Sequence, residues 1–155
     1  MHQGIMSSVS NIVFEELKSL GERIASNIVS TGQNASGNTV KSIKPEETET
    51  GAILYGRNYF VVLETGRKPG KGPYRFQDVI YQWSIDKGIA FRTASERKSF
   101  AWVVSKKIQE EGTLLFRTGG RSDVYSKEIK EAVESIRKRI TAIMKQEVES
   151  IILNA

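Results

Sequence analysis

The chain has 155 residues, 39% of them hydrophobic and 26% charged, with a formal net charge of +5. That length supports one domain with a real core but not two, and the composition is that of a soluble globular protein. Cysteine is absent and His2 is the single histidine, which excludes disulfides, thiolate metal sites, cysteine nucleophiles, histidine-based triads and most zinc sites.

No apolar run approaches the roughly 18 residues needed to cross a membrane. The N-terminal segment from Met1 to Lys18 has neither a charged start nor a small-residue cleavage site after an apolar block, so no signal peptide is expected and the chain should stay where it is made. The first 63 residues are nearly neutral: Glu15, Glu16, Glu22, Glu46, Glu47 and Glu49 face Lys18, Arg23, Lys41, Lys44 and Arg57. The positive excess sits in Arg67–Arg75 and Arg92–Lys107. Two readings are open for it: a solvated mixed surface, or a patch facing nucleic acid through phosphate contacts alone.

The first predicted element is a helix over about 8–31. Val9, Ile12, Val13, Leu17, Leu20, Ile24 and Ile28 recur at spacings of three and four, which makes one apolar stripe. Ser7, Ser8 or Ser10 can cap it and Gly32 ends it. A polar loop over 31–38 leads to a β region over about 39–64. There Thr39–Lys44 reads as a strand, Glu46–Thr50 as a polar connection and Ala52–Tyr55 as a second strand. Tyr59–Leu63 suits either a strand or a helical turn. Two or three antiparallel strands result, and so small a sheet needs a helix on one face.

The loop over 65–73 carries Gly66, Arg67, Lys68, Pro69, Gly70, Lys71, Gly72 and Pro73 after the apolar run that ends in Glu64. Three glycines and two prolines fix an irregular backbone. Its cations, with Arg75 just beyond, mark a candidate surface for a subunit or for an anionic partner. A helix over about 75–87 follows, with Phe76, Val79, Ile80 and Trp83 on its stripe and Gly88 as a left-handed cap ahead of Ile89. Trp83 is expected in the core.

Thr93 and Glu96 have capping-box spacing before a helix over 94–111. That helix turns Phe100, Ala101, Val104 and Ile108 inward; Trp102 falls beside this stripe, either on a second packed face or as an interface anchor. Glu110 and Glu111 end the helix, where the macrodipole disfavours acids and a local compensation is expected. Leu114–Phe116 reads as an edge strand, and Gly119–Gly120 as a joint. The last helix runs over about 124–152, with Ile129, Val133, Ile136, Ile140 and Ile143 in a narrow seam. At roughly 40 Å it either packs along the first helix as an antiparallel pair or projects toward a neighbour. The fold class is therefore α+β: a small antiparallel sheet against long first and last helices, plus two shorter central ones.

Catalytic patterns are scarce. Gly66 and Gly70 are too close for a phosphate-binding P-loop, and Lys71 precedes Gly72 where that motif has a magnesium-holding Ser or Thr. Glu64 could serve as a general base, but a carboxylate at such a turn more often accepts backbone N–H bonds from the following residues or pairs with an arginine. Tyr55, Tyr59, Tyr74 and Tyr81 fall near the basic loop in sequence, where they could stack on bases or cap the small sheet.

The order of these features resembles the tail-component family of tailed bacteriophages, which supplies head–tail connector or tail-completion proteins. Gly37, Ser42 and Ile43 match the segment that opens the family's sheet. Tyr59, Glu64 and Gly66 match its Tyr-rich stretch ending in Glu-x-Gly, and Pro69 and Pro73 its loop. Trp83 and Gly88 match its next helix, and Ala101, Val104, Ile108, Glu111, Gly112 and Thr113 the one after. The match spans about residues 10–150; Leu114–Asp123 has no placed counterpart.

The resemblance implies a non-enzymatic virion protein without a cofactor, made in the host bacterial cytoplasm. Its partners would be itself in a ring, portal, connector or tail-tube proteins, and packaged DNA through non-specific contact, with no membrane. Arg67, Lys68, Lys71 and Arg75 would then lie at a subunit interface or face DNA. The alternative is a small basic nucleic-acid-binding module using those four with Arg92, Arg97 and Lys98; a metal-independent nuclease or toxin is a weaker third reading.

Overall fold

The computed structural model describes the backbone of residues 2–153 and the side chains of residues 7–153; the side chain of His2 lies outside these. In chain order the elements are α1 (His2–Ser30), α2 (Asn38–Lys41), β1 (Lys44–Thr48), β2 (Gly51–Tyr55), α3 (Val62–Thr65), α4 (Phe76–Asp86), α5 (Ala94–Glu111), α6 (Leu114–Arg117) and α7 (Ser126–Leu153). The fold is α+β, with a two-stranded antiparallel sheet and long helices at both ends.

The core forms where α1, α7 and the sheet meet. Leu20, Ile24 and Ile28 of α1 bury against Val124 and Ala132, ringed by Leu17, Val40, Ile43, Leu54, Phe60, Leu63 and Tyr125. The predicted α1 stripe supplies three of the five central residues. Gly21 lets the sheet side come close, since a Cβ there would stand 3.1 Å from Ile43 and 3.3 Å from Leu54.

α1 and α7 run antiparallel, and a polar network fixes their register. Arg23 pairs with Glu128 at 2.8 Å and with Glu16 at 3.5 Å. Glu16 also accepts from Ser135 at 2.8 Å and pairs with Arg139 at 3.7 Å. Asn27 donates to the Val124 carbonyl and to Glu128, both at 3.2 Å. Past the Glu16–Arg139 pair, residues 140–153 of α7 continue for roughly 20 Å. Of the two alternatives for the last helix, the antiparallel pair with α1 is the one found: residues 140–153 continue beside the first half of α1, with Ile140 and Ile143 half-buried, and the two helix ends form a two-helix arm.

The narrow seam expected on α7 is its packing line only in part: Ile136, Ile140 and Ile143 are half-buried. Ile129 and Val133 are exposed, because α1 is approached through the smaller Ala132 and Ser135 beside them.

The α4–α5 hairpin packs chiefly on itself. Ile80 and Ser84 of α4 bury against Ala101 and Ser105 of α5. Arg97 is turned into this hairpin: it donates to the Ser84 hydroxyl at 3.0 Å and lies 4.8 Å from the centre of the Phe91 ring, which itself packs on Phe100. Gly88 adopts the expected left-handed cap, with Gly88 N–H on Ile85 and Ile89 N–H on Ser84. Thr93 caps Glu96 N–H, while the Glu96 carboxylate takes the N–H of Arg92, one residue earlier than a capping box would place it.

Other expectations are corrected. α1 begins at His2, so Ser7, Ser8 and Ser10 lie inside it and do not cap it; the few tenths of a kcal/mol that serine costs in a helix are too small to stop it. Thr39–Lys44 is not a strand. Left-handed Gly37 starts the helical turn α2, and the Ser42 hydroxyl bonds back to the Thr39 carbonyl. The strand is instead Lys44–Thr48, which overlaps the supposed connection and is paired from Lys44↔Tyr55 to Thr48↔Gly51. Its residues are mostly exposed, so it shows no apolar alternation. Tyr59–Leu63 resolves into turns leading into α3, leaving two strands.

Leu114–Phe116 is helical, with Thr113 capping Phe116 N–H. Trp83 is 38% exposed, because α4 meets α5 through Ile80 and Ser84 and the indole falls beside that line.

Ile24 sits at the centre of the core. Ile24→Ala is expected to lower unfolding free energy by about 2–5 kcal/mol, read from urea denaturation.

Candidate functional site

The basic loop is built around two close backbone approaches. Gly66 has φ 68°, and a Cβ on it would fall 2.3 Å from the Phe116 nitrogen and 2.6 Å from Thr113 Oγ1. That proximity lets Arg67 and Thr113 exchange bonds: Arg67 N–H donates to Thr113 Oγ1 and Thr113 N–H to the Arg67 carbonyl, each at 2.9 Å. Further along, Gly70 N–H reaches the Gln109 carbonyl at 2.8 Å. This carbonyl belongs to the last turn of α5, where the helix itself supplies no donor.

Arg67 is therefore not a free cation. Its guanidinium donates to the carbonyls of Lys71 at 2.8 Å and Gly70 at 3.2 Å, and to Ile108 at the longer 3.5 Å. It also stands 5.1 Å from the centre of the Phe76 ring. A positive group at the C-terminal end of α5 is favoured by the helix dipole. Together with the Arg117–Glu111 pair at 2.7 Å, it supplies the compensation that Glu110 and Glu111 require. Arg75 pairs with Asp78. Lys68 and Lys71 remain exposed on the loop, and Pro69, Gly70, Gly72 and Pro73 shape it. Of the three further cations considered for nucleic acid, Arg97 is internal to the hairpin while Arg92 and Lys98 are exposed.

The tyrosines do not gather here as a group. Tyr59 bonds to Thr39 and Arg57; Tyr55 lies on β2. Tyr74 alone stands on the loop, 93% exposed, and Tyr81 lines a groove on the outer side of the hairpin.

Glu64 is the buried charge at the base of the loop, 3% exposed. It does accept backbone N–H bonds, but from a segment 60 residues away and not from the turn that follows it. Its Oε1 takes the N–H groups of Val124 at 2.9 Å, Tyr125 at 2.7 Å and Ser126 at 2.9 Å. Its Oε2 takes the Ser126 hydroxyl. These N–H groups open α7, so the carboxylate caps that helix from a distant part of the chain. Burial by itself would raise the Glu64 pKa, but the Ser126 hydroxyl and the three N–H groups outweigh it and hold the carboxyl below its ordinary value. Such a group is a weak proton acceptor with its oxygens already engaged, which disfavours the general-base reading. Nearby, Arg121 N–H bonds the Glu64 carbonyl at 2.8 Å, and Gln33 donates to the Leu63 carbonyl at 2.6 Å.

The groove lined by Arg75, Asp78, Tyr81, Lys98, Trp102 and Val103 has a volume of about 830 Å³. Trp102, 54% exposed, lines it and also borders two smaller depressions. Lys106 stands 6.0 Å from the centre of the indole. Of the two roles open to Trp102, the structure excludes burial on a second face. Spacing placed it off the core stripe, but the sequence held no signal that the surfaces converge on it.

Among the described residues there is no cluster of three or more histidine, aspartate or glutamate side chains suited to a metal ion. No helix there is long and apolar enough to cross a membrane. Comparison with protein-family models, with curated proteins and with solved structures finds no match to this chain.

Glu64→Ala strands three N–H groups and should cost on the order of 3 kcal/mol or more, whereas Glu64→Gln keeps an acceptor and should cost less. Because folding depresses the Glu64 pKa, its contribution is complete above the unfolded-state value, about 4.3. It is lost as pH falls through the lower folded value. Denaturant titrations should show the wild-type advantage over Glu64→Gln constant near neutrality and shrinking in acid; an advantage that grows in acid would contradict this assignment.

Gly66→Ala meets backbone at a positive φ, so thermal unfolding should show a loss of about 2 kcal/mol or more.

Proposed function

We propose that this chain is a structural virion protein of a tailed bacteriophage. It assembles as a homo-oligomeric ring in the neck or at the head-proximal end of the tail. One observation carries the assembly part of this reading: the chain exposes 10738 Å² of surface. A compact monomer of 17.4 kDa would expose roughly 7,900 Å². The excess of about 2,900 Å² lies within the range buried by obligate subunit contacts.

Much of the exposed apolar surface lies in two separate places, the hairpin around Trp102 and the outer side of α7. A closed ring requires two different patches on each subunit. Portal, connector or tail-tube proteins would meet the ring on its remaining faces. Lys68 and Lys71 on the stiff loop could touch passing DNA without base readout. The placement in a phage neck rests on the order of motifs along the chain.

Mass photometry and negative-stain imaging of the purified chain test this. Closed rings of fixed subunit number are expected; a monomer at every concentration up to the high micromolar range would overturn the reading. A second reading, a small nucleic-acid-binding module, draws on the exposure of Tyr74 between Lys71 and Arg75. It requires duplex or single-stranded DNA affinity that falls steeply with added salt.

A further inference from the structure

We propose that the groove around Trp102 receives the end of α7 from a neighbouring copy of the chain, a head-to-tail contact repeated around the assembly. This inference rests on the ring reading and names its interface.

Three observations lead to it. First, the two surfaces lie at opposite poles of one subunit. The α4–α5 hairpin is tethered beyond the C-terminal end of α1, where Lys87 donates to the carbonyls of Gly32 and Asn34. The end of α7 lies beside the start of α1, because the two helices are antiparallel and Glu16 already pairs with Arg139. A rigid α1 of 29 residues separates the poles, a length of roughly 43 Å. The two surfaces cannot meet within one chain.

Second, their chemistries complement each other. Met144, Val148 and Ile151, at spacings of four and three, are 50%, 54% and 55% exposed on one face of the arm. Glu147 and Glu149 flank them, with Lys145 paired to Glu149 at 3.8 Å. The groove offers the apolar surfaces of Trp102 and Val103, each 54% exposed, with Lys98 and Lys106 at its rim. An apolar helix end carrying Glu147 suits a groove lined by an aromatic with lysines at its rim.

Third, the area fits. If each subunit buries its excess of about 2,900 Å² in two unlike patches, each contact in a ring buries that same total, within the obligate class. Among the described residues, no element other than α1 and α7 lies at this pole to cover that exposed face.

The test uses two full-length variants that each block one surface. Trp102→Glu places a charge in the groove; the double substitution Val148→Glu, Ile151→Glu places charge on the arm. All three positions are exposed, and far-ultraviolet circular dichroism with thermal melts checks that both variants fold. Each variant alone is expected to be monomeric, its self-association weakened roughly thirtyfold or more. Mixed together, they retain one intact groove and one intact arm per pair, so the mixture should form one-to-one dimers and nothing larger.

Rings that persist in either folded variant would overturn this contact while leaving the ring reading in place. A Trp102→Glu variant that dimerises alone would also overturn it, since the contact would then be between like surfaces. Wild-type open filaments with the predicted one-to-one pairing would keep the contact and overturn the ring. A wild-type chain that never associates overturns both. DNA binding abolished by Trp102→Glu without self-association would assign the groove to nucleic acid and overturn the proposal.

Discussion

The carboxylate of Glu64 meets the positive end of α7, and the placement of both central assemblies follows from that contact. Three N–H groups and one hydroxyl converge on it, so the start of α7 is fixed to the base of the basic loop. From there α7 runs along α1, where Arg23, Asn27 and Glu16 set its register. The same short segment, from Leu63 to Arg67, binds Gln33, Arg121 and Thr113. The short segment around this buried charge thus joins the helix pair to the hairpin. Buried carboxylates are unfavourable unless hydrogen-bonded. Here the donors are the N–H groups that a helix start leaves without intrahelical partners, so one contact satisfies both.

The α4–α5 hairpin follows a different rule. Its centre is small and includes two serines and an arginine, and it leans little on the rest of the chain. Connection to the main body comes through backbone exchange at Gly66–Arg67 and Thr113, and through Lys87. A module of this kind keeps its own shape while presenting one side outward. That is how a half-exposed tryptophan persists in the middle of a helix whose other side is packed.

The long helices were legible in the sequence because their apolar residues repeat with the helical period over many turns. Leu20, Ile24 and Ile28 are core for the reason the spacing suggests, and the limits of α5 follow from Thr93 and Gly112. The short elements were not legible. Lys44–Thr48 carries proline and glutamates and becomes a strand only because β2 pairs with it. Thr39–Val40 and Leu114–Leu115 have strand-like or apolar composition, but left-handed Gly37 and capping Thr113 start helical turns there. On α7, spacing identified the bulky seam but could not show that the smaller Ala132 and Ser135 would face α1. For the loop, counting charges overstated its free cations, because Arg67 spends its guanidinium on carbonyls. The role of Glu64 as a hydrogen-bond acceptor was visible; its donors, 60 residues onward, required the tertiary structure.

The antiparallel pairing of α1 with α7 puts residue 2 and residue 153 at the same pole. Whatever polypeptide is joined to either end, whether a natural extension or a purification tag, departs from one shared corner beside Val148 and Ile151. A bulky fusion at the front would crowd the same space as one at the back.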